Sequence, residues 1–74
     1  MKVNYDEQSD AMYIRFSDSS CYESDEVKKG IILDYDEQGR VIGIEILDAS
    51  KQMPAPQTQL YSINFEVLRP EKET

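Results

Sequence analysis

The side chains here with the greatest capacity for chemistry are carboxylates. Fifteen Asp and Glu stand against eight Lys and Arg, with no His and one Cys. Asp34 and Asp36 alternate in the apolar run Gly30-Ile31-Ile32-Leu33-Asp34-Tyr35-Asp36. On a strand they point to one side, about 6 to 7 Å apart. That spacing suits a divalent cation or a pair of acids, with Glu45 or Asp48 as further members. A turn competes with this reading and is favoured over it. Asp36 faces Arg40 across a short loop and can pair with it, and the hairpin register derived below puts Glu45 on the opposite face. No catalytic, cofactor or metal site is assigned on this basis, and Asp34 and Asp36 are the weaker candidates for a metal. A change of one residue in that register would turn one strand over and weaken the objection.

Other chemistries lack their residues. Without histidine the usual neutral-pH general base is missing, and Ser-His-Asp or Cys-His activation cannot be assembled within one chain. Cys21 sits in a Ser-rich, acidic stretch, where neighbouring carboxylates disfavour a thiolate, and one Cys makes neither a disulfide nor a conventional zinc site. Gly30, Gly39 and Gly43 are spaced for turns and strand rather than for a phosphate-binding loop. The net charge of −7 repels nucleic acids and anionic membranes, and the one adjacent basic pair, Lys28-Lys29, follows Asp25 and Glu26 closely. Neither nucleic acid nor membrane is expected as a partner.

The elements that must position these residues are strands. Lys2 to Asp6 and Ala11 to Asp18 flank the polar turn Glu7-Gln8-Ser9-Asp10. A four-residue loop pairs Asp6 with Ala11, Tyr5 with Met12 and Val3 with Ile14, leaving one apolar and one polar face. Ser17 to Ser24 reads as a loop. Asp25 to Lys29 reads as a short charged segment, an edge strand if it pairs at all. Gly30 to Asp36 and Arg40 to Asp48 meet at Glu37-Gln38-Gly39, a three-residue hairpin loop with Gly in its left-handed position. The expected pairs are Asp36 with Arg40, Tyr35 with Val41, Asp34 with Ile42, Leu33 with Gly43, Ile32 with Ile44 and Ile31 with Glu45. This hairpin is then apolar on both sides and belongs at the centre of the sheet. Gly43 in mid-strand marks a bulge or a close backbone approach.

Met53-Pro54-Ala55-Pro56 interrupts any ladder, so residues 52–59 read as a linker. Leu60 to Leu68 alternates Tyr61, Ile63, Phe65 and Val67 with polar residues, which predicts a last strand. It is placed on the same domain or on a partner chain, and those four residues are the candidate partner-binding set. Residues 69–74 form a charged tail. The expected fold is thus mainly β: a small antiparallel meander of five to six strands built from two hairpins in residues 1–51, with the last strand after a Pro-containing linker.

A core of this size is marginal and has no staple available, so self-association into a homodimer or higher oligomer is expected. The absence of an apolar leader after Met1 points to the cytoplasm. A partner other than the chain itself would be a small basic protein.

The chain resembles a known family at Tyr5-Asp6, at Asp10-Ala11-Met12-Tyr13-Ile14-Arg15-Phe16-Ser17, at Gly30 to Asp36, and in the run from Gly39 to Gly43-Ile44-Glu45-Ile46-Leu47-Asp48-Ala49-Ser50. The family is that of small prokaryotic proteins catalogued as domain of unknown function 2283, and the likeness spans residues 1 to about 51. It implies a compact β meander of bacterial type. By analogy with relatives encoded beside small toxin-like proteins, it also makes an antitoxin-like or other partner-binding role conceivable. The expected function is accordingly a non-catalytic interaction protein, and the rival is a carboxylate-based metal-binding or hydrolytic protein.

Overall fold

A computed structural model describes residues 1–70. Five antiparallel strands, β1 (Lys2–Asp6), β2 (Ala11–Arg15), β3 (Glu23–Lys28), β4 (Ile31–Tyr35) and β5 (Val41–Ile46), form one open sheet in the order β1-β2-β5-β4-β3. Two single-turn helices, α1 (Ala49–Gln52) and α2 (Pro56–Gln59), and a 3₁₀ turn at Leu60–Ser62 follow. Strands β3, β4 and β5 run as a meander, and the first hairpin joins them through β2 and β5. The result is a Greek-key order.

The first hairpin has the expected register, with Val3 opposite Ile14, Tyr5 opposite Met12 and Asp6 opposite Ala11. Its turn is closed by the Asp6 carboxylate, which accepts the Gln8 N–H at 3.0 Å, and by Asp10 at φ 54. Asp is among the few residues that tolerate that left-handed conformation.

The second hairpin keeps the expected pairing only near its turn, where the Asp36 N–H donates to the Arg40 carbonyl and Tyr35 lies opposite Val41. Beyond that point an irregularity in β5 shifts the register by one residue. Asp34 lies opposite Gly43 rather than Ile42, Leu33 opposite Ile44, Ile32 opposite Glu45 and Ile31 opposite Ile46. The extra residue is Ile42, which is 2% exposed and whose carbonyl accepts the Phe16 N–H at 2.8 Å. A bulge thus buries an isoleucine and anchors the start of the crossover. It also turns every following side chain of β5 over. The expected pairs of Asp34 with Ile42, Leu33 with Gly43, Ile32 with Ile44 and Ile31 with Glu45 are corrected accordingly. Ile31, Leu33, Tyr35, Ile44 and Ile46 share one face with Val3, Tyr5, Met12 and Ile14. Ile32, Asp34, Gly43 and Glu45 share the other with Tyr13 and Arg15.

Strand β3 is the charged edge expected from sequence, although it begins earlier, at Glu23. Every residue in it is exposed, and its ladder is broken between Glu26 and Lys28, two features that blunt an edge against further pairing. Residues 16–22 carry the chain from β2 to β3, held by an Arg15 guanidinium N–H donated to the Ser19 carbonyl at 2.7 Å and by the Tyr22 N–H donated to the Tyr35 carbonyl at 2.8 Å.

The sixth strand expected over Leu60 to Leu68 is not formed. Leu60–Ser62 is a 3₁₀ turn, and residues 63–70 carry no regular structure. The physical reason lies just upstream. Pro56 starts a helical turn at the position proline favours, and the Thr58 and Gln59 N–H groups both donate to the Ala55 carbonyl at 3.0 Å. The linker is therefore coiled rather than extended, and Leu60 and Tyr61 continue its twist. Of the expected tail, residues 71–74 lie outside the described residues.

The sheet is covered sparsely. Met12, Ile42 and Ala49 are the buried hydrophobic residues, joined by Pro56, and most other apolar side chains on the sheet are only half-buried.

Candidate functional site

The polar face carries a cluster centred on Asp34, which is 3% exposed. Its carboxylate accepts the Ser24 hydroxyl at 2.6 Å from the neighbouring edge strand. The register shift brings Glu45 to the same side of the sheet as Asp34, two residues along the neighbouring strand from Gly43, the partner of Asp34. Burial pushes the Glu45 carboxyl up, and the hydrogen bond and charge of Asp34 push it further. Tyr13 lies opposite Glu45 and reaches across Gly43. A Cβ on Gly43 would stand 2.9 Å from the Tyr13 hydroxyl oxygen and 3.2 Å from the Ile14 carbonyl oxygen. The glycine is thus a seat for an aromatic side chain, and it also lies where the Ile14 backbone comes close. Burial pushes the Tyr13 phenol up; the Arg15 guanidinium, donating to its oxygen at 3.3 Å, opposes this, and Asp34 adds to it.

Asp36 serves a different purpose. Its carboxylate accepts the Gln38 N–H at 3.0 Å, the Arg40 N–H at 2.9 Å and the Arg40 guanidinium at 2.8 Å. These bonds, that from the Arg40 backbone foremost, hold it below the usual carboxylate range. Its oxygens close the β4–β5 turn, while Asp34 faces the polar side and accepts from Ser24. Asp48 stands apart at the head of α1, where it lines a shallow depression with Lys29, Gly30, Lys51 and Gln52. Among the described residues no three Asp, Glu, His or Cys side chains gather in a group that could hold a metal ion. Cys21 is exposed beside Ser24.

The opposite face is apolar across all the inner strands. Over β1 and β2 the C-terminal segment forms the far wall of an open groove of about 390 Å³. Val3, Met12, Ile14 and Phe16 line it from the sheet, and Leu60, Ile63 and Phe65 from the segment. The four candidate partner-binding residues therefore divide. Ile63 and Phe65 line the groove, whereas Tyr61 and Val67 are 92% and 75% exposed. Over β4 and β5, Ile31, Leu33, Tyr35, Ile44 and Ile46 are half-buried, and Val41 at the turn end is exposed.

Sequence reasoning did not single out Tyr13, Arg15 and Ser24 as members of the polar cluster. The available signal was Gly43, which marked a bulge or a close backbone approach, but what approaches it depends on β2 lying beside β5. It equally missed the clamp between Asp10 and Ser50. There the Ser50 N–H and hydroxyl both donate to the Asp10 carboxylate, and the Ala49 N–H donates to the Asp10 carbonyl at 2.8 Å.

These features define a small single-sheet Greek-key protein with one apolar and one polar face. The profile of the family described as Protein of unknown function (DUF2283) matches residues 2–50, which hold all five strands and the first residues of α1. The chain belongs to that family. No curated protein and no solved structure matches it. Among the described residues no helix is long and apolar enough to cross a membrane.

Proposed function

We propose that the protein is a non-catalytic protein–protein interaction module that binds through the apolar face of its sheet. One observation carries this reading: a sheet whose apolar face is covered over only part of its width. Sheets are stable in layered architectures that bury such a face, and a large exposed apolar surface marks an interaction site. Buried polar groups, by contrast, call for no partner: no buried side-chain nitrogen or oxygen among the described residues lacks one. An antitoxin-like role is one form such a module takes, and the net charge of −7 favours a basic protein if the partner is a different chain. The test compares the tagged protein with its Leu33→Asp variant in the host extract. Proteins held in stoichiometric amount by the parent and released by the variant support the reading. Identical retention by both overturns it.

A second reading draws on the approach of Asp34 to Glu45, which the sequence-derived register denied. Two carboxyl groups on one face are a starting point for metal binding or acid–base chemistry. Melting with and without millimolar calcium or magnesium tests it. An ion-dependent rise that Asp34→Asn abolishes supports the site, and unchanged melting removes it.

A further inference from the structure

The covering of the apolar face points to a particular occupant. The chain exposes 6155 Å², whereas a compact protein of 8.6 kDa exposes about 4,700 Å². A standard interface removes roughly 800 Å² from each partner, less than that surplus. Exposed apolar side chains contribute to the surplus: Phe65 is 68% exposed, Val67 75% and Leu68 82% in the C-terminal segment, and Val41 is 42% exposed on the sheet. Resting on the reading that this face is a binding surface, we infer that its occupant is a second copy of the same chain. The two sheets pack face to face, with the exposed apolar residues of the C-terminal segments buried in the joint.

Three features accompany the area argument for a second copy. The central positions of the face, Met12, Ile14, Ile31, Leu33, Ile44 and Ile46, carry no charge, so nothing at the middle of the surface selects a basic or an acidic protein. Face-to-face packing of two sheets about 10 Å apart supplies the second layer that 74 residues do not provide alone. The charged, bulged edge at β3 discourages edge-to-edge addition at that side, which directs association to the faces. The acidic side chains then lie on the outer faces and rims, where solvent screens the repulsion between two chains of −7.

Sedimentation velocity of the full chain from 1 to 100 μM tests the inference. The expected result is a two-chain mass, twice 8.6 kDa. Leu33→Asp in the sheet and Phe65→Asp in the C-terminal segment should each weaken dimerisation at least tenfold. The polar-face substitution Asn4→Lys should leave it unchanged. Phe65 lies outside the strands, so its variant remains informative if Leu33→Asp fails to fold by circular dichroism. A parent dimer insensitive to both Asp substitutions overturns the assignment of the face. A one-chain mass at 100 μM overturns the second copy, and binding of a hydrophobic dye then separates the two readings. Strong dye fluorescence lost in Phe65→Asp leaves the face as a docking surface for a different protein, whereas none removes the interaction reading as well.

Discussion

The Asp10 carboxylate accepts two hydrogen bonds from Ser50, one from the backbone N–H at 3.0 Å and one from the hydroxyl at 2.6 Å, across forty residues of sequence. Tyr5 donates its hydroxyl to the same carboxylate at 2.7 Å. One side chain thus ties the first turn to its own hairpin and to the head of α1, where Ala49 is completely buried. Ser50, then Tyr5, hold the Asp10 carboxyl below its ordinary value of 3.8.

Asp10→Ala should lower Tm by about 5 °C or more, since it removes three bonds and a residue suited to φ 54. Asp10→Asn keeps the backbone preference and should fall between parent and Ala. Because the folded carboxyl is the stronger acid, its contribution is present above pH 3.8 and fades as the pH falls below that value. Thermal melts from pH 2.5 to 6 should therefore show a shallower acid limb for Asp10→Asn. Parallel limbs would refute this.

At the alkaline end the same cluster gives the opposite sign. Hydrogen bonding to Asp10 pushes the Tyr5 phenol up from 10.0 to about 12. The folded state holds that proton more tightly, so the stabilisation is complete below pH 10 and is lost as the pH rises towards 12. An ultraviolet titration of parent against Tyr5→Phe should assign to Tyr5 a phenolate that appears late. A difference curve centred near 10 would show that the bond is not made in solution.

Gly43→Ala should destabilise by about 1–3 kcal/mol, the cost of forcing an atom into a packed site. The new Cβ meets the Tyr13 hydroxyl at 2.9 Å and the Ile14 carbonyl oxygen at 3.2 Å. Tyr13→Phe removes the first of these contacts, so the alanine should cost less in that background. Chemical denaturation of the four proteins in the cycle measures the coupling. Additive costs would mean that the Tyr13 hydroxyl does not meet the new Cβ.

Glu45 opposes folding at neutral pH. Its folded carboxyl holds a proton more tightly than its ordinary value of 4.5 allows, so the penalty grows as the pH rises from there through the raised folded value. Glu45→Gln should melt a few degrees above the parent at pH 7.5, with the gain shrinking towards pH 4. A constant difference across that range would show that the folded Glu45 carboxyl is not raised.

Several strands could be read directly because alternation and turn chemistry are local. The first hairpin followed from polar turn residues between two alternating runs, and the Asp36–Arg40 turn from Gly39 in its left-handed position. The candidate site was less legible. Whether Glu45 joins Asp34 depends on one bulge at Ile42, and a bulge is chosen by what buries that isoleucine rather than by the sequence of its own strand. The same limit applies to Tyr61, Ile63, Phe65 and Val67. Their alternation describes a strand, but a strand needs a free edge within reach, and the helical turn begun at Pro56 sends the chain across the apolar face instead.

Residue types and their order were thus enough for a mainly β domain without histidine chemistry, the turns of both hairpins, the charged edge and the family, whose profile matches residues 2–50. These depend on residue type and short spacing. Tertiary structure alone decided that β2 lies beside β5, that Gly43 receives Tyr13, that Asp10 clamps Ser50 and that Asp34 meets Glu45 while Asp36 closes a turn. Each of these is a contact between distant parts of the chain, selected by which arrangement buries apolar surface and satisfies polar groups together, and neither condition can be evaluated one segment at a time.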